Sequence, residues 1–114
     1  MNEFNEYKIA YIYGMAKKMS EDVAVVLAYL SEAMGGTTGD IMKRTALEKN
    51  RARQALLLLD VTNFVQKVRV EHSWMYTISD EGRIALGYLL DEKLYPGRSI
   101  KVKAILGGVL SDKQ

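Results

Sequence analysis

The sequence of 114 residues predicts a mainly α-helical domain that carries one small β-hairpin. Along most of the chain apolar residues recur at steps of three and four, which is the period of an amphipathic helix. Between residues 64 and 78 the period changes to two, which is typical of strands. A hydrophobic content of 48% with 26% charged residues indicates a packed core rather than disorder.

The first segment, residues 2–18, is predicted to be a helix with apolar residues on two faces. One stripe at helical spacing consists of Phe4, Tyr7, Tyr11 and Met15, and Ile9, Ile12 and Tyr13 lie off it. A helix with two apolar faces needs two surfaces to pack against. We expect one surface to be its own domain and the other a second subunit, so that residues 1–19 serve dimerisation. The alternative is a core helix that closes the monomer.

Three further helices are predicted from their start and stop signals. Ser20 is a good N-cap, and the helix that it begins ends at Gly35-Gly36. Thr37 or Thr38 caps a short helix that runs to about Arg44. After a turn at residues 45–47, a helix over residues 48–60 has a stripe of residues expected to be buried: Ala52, Ala55, Leu56 and Leu59.

The hairpin is predicted over residues 64–78, with a tight connection at residues 71–73. Lys67 and Arg69 alternate with Val68 and Val70. Trp74, Tyr76 and Ile78 are each two residues apart, so their side chains are expected on one face of the strand. This favours a place for Trp74 in the hairpin core over a nucleic-acid contact. Ser79 then caps a helix predicted to reach about Lys93. Beyond Pro96, residues 100–110 fit either a strand or a helix, and a helix is favoured.

Charge is distributed unevenly along the chain, although the formal net charge is only +2. Residues 43–69 contain seven basic and two acidic residues, a net of +5, whereas the remainder has a net of −3. A basic middle between acidic ends is typical of a surface that binds polyanions. On charge alone, a solvated charged surface is the simpler explanation.

Two motifs in this order resemble a known family. The stretch from Thr37 to Leu59 resembles the helix-turn-helix core of winged-helix transcription regulators of the MarR and PadR kind. The stretch from Tyr76 to Leu86 is similar to their Y-x-L-T-x-x-G-R-x-A-L segment, where the second strand of the wing enters the next helix. The resemblance implies a winged helix-turn-helix domain over residues 20–93 and a dimerising C-terminal extension over residues 94–114.

The resemblance also implies that helix 48–60 is the recognition helix. An α-helix fits the major groove of B-DNA, where arginine can pair with guanine and asparagine or glutamine with adenine. The side chains expected to read bases are Lys49, Asn50, Arg51, Arg53 and Gln54. Phosphate contacts are expected from Thr38, Lys43, Arg44, Lys67, Arg69 and His72. In the C-terminal extension, Ile105 and Val109 are expected to join the dimer interface.

Several function classes are excluded on the sequence. The absence of cysteine excludes disulfides, thiolate zinc sites and thiol catalysis, and the single histidine cannot form a convincing metal site. No catalytic motif is present, so we expect a protein that is not an enzyme and needs no cofactor. The start of the chain lacks the features of a signal peptide, and no stretch is long and apolar enough to span a bilayer. We therefore expect a soluble, cytoplasmic protein with no membrane partner.

Together these features predict a homodimeric, sequence-specific regulator that binds double-stranded DNA, and a repressor is favoured. Two alternatives remain open at this point. One is a winged-helix module that binds other proteins, and the other is an architectural protein that binds DNA without regard to sequence. The charged face of helix 48–60 favours DNA contact, because an interaction module does not need it.

Overall fold

The computed structural model describes residues 6–91 and Ala104, and in this part of the chain it is mainly helical with one antiparallel hairpin. The elements in chain order are α1 (Glu6–Lys18), α2 (Glu21–Ala33), α3 (Thr38–Thr45), α4 (Lys49–Val61), β1 (Val65–Val70), β2 (Ser73–Ile78) and α5 (Asp80–Leu89). The predicted order of helices and hairpin is confirmed.

Some predictions fall on the remaining residues. Phe4, Ile105, Val109 and the break at Pro96 lie outside the described residues, as does the extension over residues 94–114 apart from Ala104. Ala104 itself is helical and half-buried.

Helix α2 forms the centre of the core. Every residue from Val23 to Leu30 is buried, because α3, α4, α5 and β2 all pack against α2. The largest completely enclosed side chains of this core include Phe64, Leu27 and Leu30. This packing holds α3 and α4 against α2 and sets the position of the hairpin relative to α4.

Side-chain caps begin three of the helices. The hydroxyl of Ser20 accepts a hydrogen bond from the Val23 amide, and Ser79 accepts one from the Gly82 amide. Thr37 rather than Thr38 caps α3: its hydroxyl accepts from the Asp40 amide at 3.2 Å, and the Asp40 carboxylate accepts from the Thr37 amide at 3.0 Å. This capping box leaves Thr38 in the first turn of the helix. The hydrogen bonds from Thr37 hold the pKa of Asp40 below its usual value.

Helix α1 has one face in the core and one face open. Ile12 and Ala16 are completely buried, and the ring of Tyr13 meets the ring of Tyr88 on α5 edge-on at 5.1 Å. On the predicted dimerisation stripe, Tyr7 is 87% exposed and Tyr11 is 48% exposed. Met15, the last residue of that stripe, is half-buried against the core.

Two predicted helix boundaries need correction. Helix α4 begins at Lys49 with Glu48 as its N-cap, one residue later than predicted. Helix α5 ends at Leu89 and not near Lys93. Leu90 closes the last turn, and Asp91 then leaves the helix. A carboxylate at the C-terminal end of a helix opposes the helix dipole, which accounts for the earlier end.

The connection between α2 and α3 is bonded to the hairpin. The Gly36 amide donates to the carbonyl oxygen of Tyr76 and the Tyr76 amide donates to that of Gly36, both at 2.9 Å. These two bonds pin the start of α3 to the middle of β2. The hairpin therefore leaves the core at a fixed position beside α3 and α4.

Candidate nucleic-acid interface

An open groove of about 620 Å³ lies between α4 and the hairpin; we call it the α4–hairpin groove. Six of the eleven residues predicted to bind DNA line it: Thr38, Lys49, Asn50, Arg53, Gln54 and Lys67. Its other lining residues are Leu56, Leu57, Asp60, Trp74 and Tyr76. The fold thus brings together residues from α3, α4 and both strands of the hairpin.

The helical period of α4 aims the polar residues outward. Ala52, Ala55, Leu56 and Leu59 are buried as predicted. Lys49, Asn50, Arg51, Arg53 and Gln54 are all exposed, as predicted. The first turn of α4 contains no acidic residue, and the Glu48 side chain makes no capping hydrogen bond. The N-terminal end of the helix therefore presents donors and positive charge to solvent.

Among the described residues, the charged groups that line the groove are three cations and one carboxylate. Lys49, Arg53 and Lys67 supply the positive charge, and Asp60 supplies the negative charge. The Lys67 ammonium lies 3.3 Å from the Asp60 carboxylate, so the carboxylate is held by the hairpin. The groove keeps a net positive charge, which suits an anionic ligand.

Arg51 lies outside the α4–hairpin groove and is paired with α2. Its guanidinium donates two hydrogen bonds to the Asp22 carboxylate, at 2.8 Å from Nε and 2.7 Å from Nη2. The hydrogen bond to Asp22 raises the pKa of Arg51. Although its side chain is 56% exposed, its donors point to α2 and not along the face that Lys49 and Arg53 share.

The other four predicted contacts also lie outside the groove lining. Lys43 on α3 and His72 in the hairpin loop are exposed. Arg44 is half-buried, with its guanidinium carbon 5.8 Å from the ring centre of Tyr29. Burial and the charge of Asp40 raise the pKa of the Tyr29 hydroxyl, and Arg44 offsets part of that rise. Arg69 is exposed beside Trp74.

The prediction that Trp74 belongs to a hairpin core is wrong. Trp74 is 41% exposed, and only Ile78 of the three residues assigned to that core is buried. The strand register pairs Arg69 with Trp74 and Lys67 with Tyr76, so the aromatic residues share a face with the basic ones. Toward the loop, this face lies open to solvent in the part of the chain that the structure describes. The connection is the two-residue loop Glu71-His72, whereas the predicted connection also included Ser73. With a two-residue loop, the sequence would have predicted this pairing.

Sequence reasoning also missed an apolar surface on α4. Leu57, Leu58 and Val61 are 64%, 41% and 68% exposed. The predicted buried stripe includes the other two leucines of this run and leaves these three residues without a role. Leu57 lines the α4–hairpin groove, as does Asp60. The sequence did contain a signal for the exposure of Leu57. Leu57 follows the exposed Gln54 by three residues, and residues three apart share a helix face.

Within residues 6–91 and 104, no three histidine, cysteine or acidic side chains come together as a metal site would require. Among the same residues, no helix is both long enough and apolar enough to cross a bilayer. Comparison of the chain with protein-family models, curated proteins and solved structures finds no match.

Proposed function

We propose that this chain is a winged helix-turn-helix regulator that binds double-stranded DNA sequence-specifically as a homodimer and represses transcription by blocking a promoter. In this proposal α3, the turn after it and α4 are the helix-turn-helix. The β1–β2 hairpin is the wing. Helix α4 enters the major groove and the hairpin lies along the adjacent backbone.

The observation that carries the proposal is the composition of the α4–hairpin groove. Lys49, Asn50, Arg53 and Gln54 occupy the first two turns of α4, and all four are exposed on the groove side. Arginine and lysine can pair with guanine, and asparagine and glutamine with adenine, at the edges that the major groove presents. The same groove carries Lys67 on its hairpin wall, where a phosphate contact would fix the register of the helix.

The contribution of Arg51 is revised in this proposal. A base contact by Arg51 would have to replace two hydrogen bonds to Asp22. Base reading is therefore assigned to Asn50, Arg53 and Gln54, with Lys49 at the start of the helix. Arg51 is held by Asp22 and is not assigned a base contact.

Helix α1 supports the dimeric part of the proposal. Tyr7 and Tyr11 are large aromatic residues that stand open on the face away from the core. Exposed aromatic residues at helical spacing are typical of protein–protein interfaces. A two-fold axis that relates two copies of α4 would place them in successive major grooves, about 34 Å apart.

A fluorescence-anisotropy titration with labelled duplexes at about 50 and 200 mM salt tests the proposal. Lys49, Arg53, Lys67 and Arg69 bring about four cations per protomer, and so about eight per dimer, close to the DNA, which predicts an affinity loss of roughly 20,000-fold between the two salt concentrations. Arg53→Ala should weaken binding to a selected site. Arg83→Ala, which removes an exposed arginine of α5 that does not line the groove, is the matched control. Steep salt dependence without sequence preference would instead indicate an architectural protein.

The apolar part of the groove favours a second candidate, a module that binds other proteins. Leu57 and Trp74 place exposed apolar surface at the groove, and Asp60 adds a carboxylate that DNA would repel. Failure to bind any duplex at low salt would favour this candidate. In that case Leu57→Ala would weaken capture of the protein partner, whereas it would weaken DNA binding only modestly, because it adds no charge to the groove.

A further inference from the structure

Trp74 is the only tryptophan of the chain, and it lies between two basic residues on the hairpin. The Lys67 ammonium is 4.9 Å from the centre of its ring and the Arg69 guanidinium carbon is 5.1 Å from it. We propose that Trp74 is a positioning residue that holds Lys67 and Arg69 as one paired phosphate-binding site. With DNA as the ligand, this inference rests on the proposed function.

The strand register produces this arrangement. Arg69 is directly opposite Trp74, and Lys67 is opposite Tyr76, two residues further along β2. All four side chains therefore leave the same face of the hairpin. Trp74 lies diagonally from Lys67 and directly across from Arg69, so one ring is within reach of both cations.

The indole ring offsets the cost of holding the two cations close together. Two like charges on neighbouring positions repel each other, and both side chains lose rotamer freedom when they are fixed. The negative face of an indole ring attracts a cation within about 6 Å of its centre. Trp74 thus keeps both cations close before a ligand arrives, and binding of a phosphate then costs less ordering entropy.

Asp60 completes the arrangement from the other wall of the groove. Its carboxylate lies 3.3 Å from the Lys67 ammonium, which ties the hairpin cation to the end of α4. Lys67 is therefore held by a carboxylate on α4 and by a ring on β2. This double attachment sets the distance between the paired phosphate site and the base-reading residues of α4.

The same geometry argues against base stacking by Trp74. A nucleobase needs an open aromatic face, and two cations already lie over this ring. Stacking on an occupied face of the ring would require the displacement of a cation. The exposed fraction of Trp74, 41%, is instead apolar surface beside a phosphate site.

The first test uses the free protein. By NMR, the side-chain methylene protons of Lys67 and Arg69 should be shifted upfield by the indole ring. Trp74→Leu should abolish both shifts, whereas Trp74→Phe should keep part of them because a phenyl ring attracts cations more weakly. Thermal unfolding of each variant shows whether the fold is intact. Random-coil methylene shifts in the wild-type protein would overturn the proposal.

The second test measures binding to duplex DNA across a salt series. Trp74→Leu should weaken binding about fivefold at fixed salt, with an unchanged salt slope because both charges remain. Lys67→Met and Arg69→Met should each lower the slope by about 1.8, because a dimer carries two copies of each residue. Wild-type affinity in Trp74→Leu would overturn the positioning role. A defect of Trp74→Leu that disappears on duplexes with an abasic site would show base stacking and would also overturn it.

The two proposals can fail separately. A wild-type protein that binds no duplex refutes the proposed function, and heparin, a polyanion without bases, then replaces DNA in the same salt series. Weaker heparin binding by Trp74→Leu with an unchanged slope would support the paired phosphate site. Equal binding by wild type and Trp74→Leu would overturn it.

Discussion

Replacement of Gly82 by alanine should destabilise the fold. Gly82 is buried in the first turn of α5, where the hairpin root meets the helix. A Cβ at this position would overlap the carbonyl oxygen of Phe64 and would lie 2.8 Å from Cγ1 of Ile78. The Phe64 oxygen cannot simply retreat, because it accepts a hydrogen bond from the Ser79 amide at 3.0 Å.

The expected loss of stability follows from two opposing effects. Alanine in place of glycine in a helix contributes up to about 1 kcal/mol of stability. Overpacking against a restrained backbone costs about 1–3 kcal/mol, and loss of the Ser79 hydrogen bond adds about 1 kcal/mol. The clash outweighs the gain in helix propensity, so the free energy of unfolding should fall by about 2 kcal/mol. For a chain of 114 residues the melting temperature should fall by about 8 °C.

Urea unfolding followed by circular dichroism measures this effect. Gly87→Ala is a matched control on the same helix, because Gly87 is exposed and a Cβ there meets nothing within 4 Å. That variant should be more stable than the wild type by up to about 1 kcal/mol. If Gly82→Ala were as stable as the wild type, the close approach between α5 and Phe64 would not restrain the fold.

Three further predictions concern the binding surfaces. Arg53→Ala should weaken DNA binding and change the free energy of unfolding by less than about 0.5 kcal/mol, because the side chain is exposed; a large loss of stability would mean that it packs in the core. Asp22→Asn should release Arg51 and strengthen DNA binding at low salt, and unchanged affinity would show that the ion pair does not compete with DNA. Tyr11→Glu should convert the proposed dimer to a monomer in sedimentation velocity, while Val61→Glu, on exposed α4 surface, should not.

The local features of the fold were predictable from short stretches of sequence. A helix cap depends on a hydroxyl and an amide three residues away, as at Ser20 and Ser79, so the residues that decide it are adjacent in the chain. The same holds for the buried stripe of α4, whose period is set by helix geometry. Exposure of Lys49 and Arg53 on the opposite side followed directly from that period.

The structure gives a physical reason for the glycine at position 82. The resemblance assigned this glycine to the step from strand to helix. The structure supplies the reason, since the backbone of Phe64 occupies the space of a side chain at this position. That contact joins residues 18 positions apart, so no local pattern could have indicated it.

Pairing between distant elements was decided only by the tertiary structure. Arg51 was expected to be available to DNA because its own helix leaves it outward, yet Asp22 on α2 holds it. Trp74 was expected to be buried because side chains alternate between the two faces of a strand. Among the described elements, however, none covers the end of the hairpin where Trp74 pairs with Arg69. Periodicity determines which way a side chain points from its own backbone. Only the placement of the other elements determines whether it meets solvent, a carboxylate or a second cation.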